Sequence, residues 1–149
     1  MTERAKHFAL LASLWAAVLA AAAILYHQAV AQPKPMEAEE LQLAARRVRS
    51  NALEAQRMAL ALTKRQLTAH FALQQHTDLA RDLQDIRKTL DRPPPPGAEQ
   101  DAARVRQASS DLEGLIATVP VKLADTAAMR QLAAQEAQLA EGLRASASP

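Results

Sequence analysis

Apolar residues recur at helical spacing through the middle of the chain. Stepping by seven from Leu41 reaches Val48, Ala55, Leu62, Ala69, His76, Leu83 and Leu90, and only His76 is polar. The companion positions are Ala44, Asn51, Met58, Arg65, Ala72, Leu79 and Ile86. A third row, Ala45, Ala52, Ala59, Gln66, Leu73 and Ala80, widens the stripe with small residues. A sustained repeat of about 3.5 residues predicts left-handed packing of one helix against another. Polar residues in such a seam (Asn51, Arg65 and His76) weaken it but can set register and partner number.

Residues 37–91 contain neither glycine nor proline. The pattern therefore predicts one uninterrupted coiled-coil helix of about 55 residues, roughly 80 Å long at about 1.5 Å per residue. Glu37, Glu39 and Glu40 suit its start, because acidic groups favour the positive end of the helix dipole. The run Pro93-Pro94-Pro95-Pro96-Gly97 ends it. Four prolines make a stiff connector and Gly97 permits a turn. A second helix is expected over residues 98–118, with Ala98, Val105, Leu112 and Val119 repeating every seven and Ala102 and Ile116 alongside. Pro120 interrupts, and Asp125 or Thr126 can cap a third helix reaching Leu143, with Met129, Leu132, Leu139 and Leu143 as its stripe. The expected fold is all-α: a long coiled-coil-type helix at 37–91, a proline turn at 92–97, returning helices within 98–145 in a hairpin or thin bundle, and a tail at 146–149. Dimerisation through the same stripe would complete the seam.

The N-terminal pattern differs. Arg4, Lys6 and His7 precede an uncharged apolar run at residues 8–26, with a linker at 27–36. Nineteen residues would span roughly 28 Å as a helix, just enough for a bilayer core of about 30 Å. A single transmembrane anchor with residues 1–7 in the cytoplasm and the bulk in the periplasm is one expectation. The other is a cleaved secretory signal, because Ala29-Val30-Ala31 precedes Gln32. Either way residues 32–149 are expected outside the inner membrane, anchored to it or free in the periplasm after cleavage following Ala31.

Composition sharpens the picture. There are 35 alanines and only four aromatic residues, three of them in the N-terminal segment. Beyond Tyr26 only Phe71 carries an aromatic ring, too little for a thick core. Alanine forms helices best, so slender helices packed side by side are favoured. The absence of cysteine excludes disulfides, thiolate metal sites and a lipid-anchoring cysteine. A net charge of +2 and a pI near 9.3, without aromatic stacking platforms, do not point to nucleic acid.

Candidate chemistry is sparse. His70 and His76 lie about 120° apart around a helix and cannot chelate one ion from it, leaving His76 as a metal or pH-sensitive candidate only across a symmetric seam. Asp78, Asp82 and Asp85 share one face, with Arg81 and Lys88 close enough to pair locally. Arg46, Arg47, Arg49, Arg57, Lys64 and Arg65 are balanced between residues 46 and 65 by Glu54 alone. That basic surface suits anionic lipid, cell-wall polymer or an acidic partner helix, or it is a solvated helix face. No nucleophile elbow, phosphate loop, H-E-x-x-H or C-x-x-C occurs. No catalytic residue and no cofactor is expected.

The layout, a short N-terminus, one span and an exported coiled coil, is similar to that of phage inner-membrane spanins. Leu123-Ala124-Asp125-Thr126-Ala127, followed by an Arg/Gln/Leu-rich helix, resembles a C-terminal helix of that family. Spanin C-termini often contain cysteines, which this chain lacks. The resemblance is one of architecture and implies an envelope protein acting through helix association. The functional expectation is accordingly a membrane-anchored periplasmic helical scaffold, a homo-oligomer or subunit of a complex. The alternative is an exported helical sensing or binding module for a metal, small ligand or client protein.

Overall fold

A computed structural model describes residue 15, residues 17–26, residues 34–144 and residue 146. It divides into two units, residues 1–34 and residues 35–149.

In the first unit residues 17–26 are helical and their large apolar side chains are exposed. Among the described residues no helix is long and apolar enough to cross a membrane, which corrects the expectation of a transmembrane helix at 8–26. Ten helical residues rise about 15 Å, half a bilayer core. The remainder of the expected span, residues 8–14 and 16, lies outside the described residues, as do the charged residues before it and Ala29-Val30-Ala31.

Among its described residues the second unit is all-helical: α1 (Ala38–Thr63), α2 (Ala69–Leu90), α3 (Glu99–Ala117), the single turn α4 (Val119–Lys122) and α5 (Thr126–Gly142). The continuous helix expected over 37–91 is therefore two helices. Its break carries neither glycine nor proline. Instead α1 ends in a Schellman arrangement: Gln66 N–H donates to the Ala61 carbonyl at 2.9 Å and Arg65 N–H to the Leu62 carbonyl at 3.0 Å. Arg65 takes the left-handed conformation, φ +56°, that this motif demands. Thr68 then caps α2, its hydroxyl accepting from Phe71 N–H at 3.3 Å.

The reversal is tied at the opposite end. Met36 N–H donates to the Pro93 carbonyl at 2.8 Å. The Arg92 guanidinium bonds Glu40 at 2.9 Å and the Pro35 carbonyl at 3.0 Å. Pro95 to Ala98 form a type II turn, with Ala98 N–H on the Pro95 carbonyl at 3.0 Å and Gly97 at φ +80°. Arg106 of α3 donates to the Leu90 and Arg92 carbonyls at 2.7 and 3.0 Å, which fixes how α3 leaves the turn. Asp125 caps α5, one carboxylate oxygen accepting from Ala127 and Ala128 N–H.

Four antiparallel helices result, α1, α2, α3 and α5, with α4 as a connector. α1 packs most extensively against α5, then against α2. The reason lies in the side chains at the contact. Ala45, Ala52 and Ala59 on α1 and Ala133 and Ala140 on α5 are all buried, and methyl-sized residues let two backbones approach closely. The bulk of the core comes from the other helices, chiefly Leu83, Ile86 and Leu90 on α2, Leu112 and Ile116 on α3, and Met129 and Leu132 on α5. Each such side chain contributes about 1.5–3 kcal/mol when fully buried.

Candidate functional site

The seam does not form one exposed stripe. Leu41, Val48, Ala55, Leu83 and Leu90 are buried within the chain's own core, Leu62 and His76 are half-buried, and Ala69 is exposed at the start of α2. The chain thus covers most of the face through which dimerisation was expected.

The basic residues are dispersed as well. Arg46, Arg57, Lys64 and Arg65 are exposed, the last two at the α1–α2 turn. Arg47 turns to α2 and pairs with Asp82, which also accepts from Asn51 Nδ2 at 2.6 Å. Arg49 is half-buried, with its Nε enclosed and unbonded. The three aspartates separate in the same way. Asp82 faces α1, Asp78 pairs with Arg81 at 3.6 Å, and Asp85 bonds Lys88 at 2.7 Å. The Lys88 ammonium holds the Asp85 carboxyl below the usual aspartate range.

His70 is exposed. His76 lines a cavity of about 220 Å³ between α2 and α3 together with Gln84, Arg87 and Glu113. Its Nε2 and the Glu113 Oε1 are enclosed there without hydrogen-bond partners. Among the described residues no group of three or more His, Cys, Asp or Glu side chains could hold a metal.

Two features escape the sequence pattern. One is Glu136 on α5, fully buried, with both carboxylate oxygens unbonded. Burial pushes its carboxyl up to about 8. It continues the buried row Met129, Leu132, Ala133, Ala140, so its position was readable as a polar break in an apolar stripe.

The other is a groove of about 820 Å³ between α3 and α5. Half-buried Leu115 and Leu139 supply its apolar surface beside the buried Ala108 and Leu143, and Arg104, Gln107, Asp111, Gln135 and Gln138 its polar groups. Gly114 of α3 and Gly142 of α5 line it too. A Cβ added at either glycine would meet nothing within 4 Å. α3 and α5 touch each other far less than α1 and α5 do, and this loose contact opens the groove.

No protein-family model matches the chain, and neither a curated protein nor a solved structure is found to resemble it. The spanin-like layout required a membrane span and a long unbroken coiled coil, and neither is present among the described residues.

Proposed function

We propose that the chain is a helical scaffold or interaction protein, and that a partner amphipathic helix docks in the groove between α3 and α5. The observation that carries the reading is the groove itself: an apolar surface with polar groups around it, extending along two helices, with a glycine on each wall. Helix-in-groove recognition uses such a surface, with anchors spaced along one helix face. The heptad seam is largely occupied inside the chain, so association uses the outer face instead. Arg4, Lys6 and His7 ahead of the apolar run, with Ala29-Val30-Ala31 after it, support an exported location in a bacterial envelope.

A photo-reactive residue at Gln138, exposed on the groove wall, tests this in native cells. The expected result is a discrete adduct whose cross-linked peptide is an amphipathic helical segment. The same probe at Arg81, exposed on α2, should give none. Equal labelling at both positions, or none at Gln138, would remove the reading.

The cavity holding the unbonded His76 Nε2 and Glu113 Oε1 favours a second reading, an exported module that binds a metal or small polar ligand. Divalent metals should then raise the melting temperature, and His76→Ala should abolish the rise.

A further inference from the structure

We infer that the helix seated in the α3–α5 groove is α3 of a second copy of this chain, packed antiparallel across a two-fold axis. The inference rests on the helix-docking reading and names its occupant.

Charge order along α3 supplies the main argument. Arg104 and Asp111 both line the groove, both are exposed, and they lie seven residues apart. Seven residues are about two turns, so the two side chains leave the same side of the helix. A second α3 running antiparallel sets Arg104 against the partner's Asp111, and by symmetry Asp111 against the partner's Arg104. A parallel copy in register would place like charges together. An isologous contact needs this kind of self-complementarity, in which residue i meets j and j meets i.

The local ties of both residues are weak. Arg104 bonds Asp101 at 3.2 Å and Asp111 accepts from Gln107 at 2.7 Å, in each case within one exposed turn of helix. Exchanging such surface pairs for cross-interface ones costs little. The axis would pass near Ala108, midway between the two charges along α3.

The glycines give an independent argument. The chain has three. Gly97 takes a positive φ in the proline turn. Gly114 and Gly142 lie in helices, and a mid-helix glycine such as Gly114 destabilises by about 1 kcal/mol relative to alanine. No atom of the chain's own packing occupies the space of their missing side chains. Both line this one groove. Close approach by a helix from outside accounts for both.

Sedimentation velocity on the full chain tests the inference, with far-UV circular dichroism to check that each variant stays helical. The wild type should form a dimer that weakens with salt. Arg104→Asp and Asp111→Arg should each weaken it about tenfold or more, and the double exchange should recover most of the loss. A monomeric wild type, single variants that associate as the wild type does, or a double variant without recovery would each overturn the self-pairing. If the wild type is monomeric and the Gln138 probe still captures a helix of a different protein, self-pairing alone falls. If it is monomeric and the probe captures nothing, the docking reading falls as well.

Discussion

Raising the pH should weaken this fold through one residue, Glu136. Its side chain is fully buried and neither oxygen has a partner, so the protonated form is favoured and the carboxyl is pushed up to about 8. In the unfolded chain the same carboxyl ionises near 4.5. Between those values the folded state holds a proton that the unfolded state has released. Stability therefore falls as pH rises through this window, by up to about 1.4 kcal/mol per pH unit, and levels off above about pH 8. The whole window sets a ceiling of about 5 kcal/mol, and relaxation around the ionised group lowers the realised loss to about 2–4 kcal/mol. That is a large share of the roughly 5–15 kcal/mol typical of a domain. Urea unfolding of the wild type and Glu136→Gln at pH 5, 6, 7, 8 and 9 measures it. The wild-type free energy should fall from pH 5 to pH 8 by more than that of the variant, which has no carboxyl to ionise. Glu136→Leu should exceed the wild type most clearly at pH 9. Parallel pH curves for wild type and Glu136→Gln would refute the argument.

Three further substitutions test the packing. Arg65→Gly should stabilise by about 0.5–1 kcal/mol in urea unfolding, because glycine accepts the left-handed conformation, whereas in an unbroken helix the same change would destabilise by a similar amount. Gly114→Ala should raise the melting temperature, reflecting about 1 kcal/mol of helix propensity gained where a Cβ meets nothing, while weakening self-association. Leu112→Ala, in the core, should lower the unfolding free energy by about 2–5 kcal/mol, whereas Leu43→Ala, 57% exposed, should change it by less than about 0.5 kcal/mol.

Much of the helical character was readable in the chain, and the misreadings have specific causes. Alanine content and the heptad rows announce helices. Pro93 to Gly97 announce the reversal, and Asp125 has the chemistry of a cap. The break between α1 and α2 was hidden because its turn residue is arginine, a residue seldom found at positive φ. Thr68, which caps α2, was the one local signal of a new helix start. Once the helix breaks, the two halves of the seam fold onto each other, and a pattern that reads as an intermolecular coiled coil becomes an internal core. Of the apolar N-terminal run, the described helical stretch 17–26 is about half the length of a span. The groove was invisible because it depends on how far apart α3 and α5 sit, which no periodicity records. Its trace in the sequence is two glycines inside helical patterns, Gly114 and Gly142.

The central claim is that the Leu41–Leu90 pattern closes within one chain and so leaves the outer groove for association. Because the chain has no cysteine, spin labels placed at Leu43 and Thr89 report on it directly. Both residues line one small cavity between α1 and α2. In samples diluted with unlabelled protein, pulsed dipolar spectroscopy should give a separation of about 20 Å, the spacing of adjacent packed helices plus the label arms. A continuous helix would hold the same positions about 70 Å apart, and that distance would contradict the account.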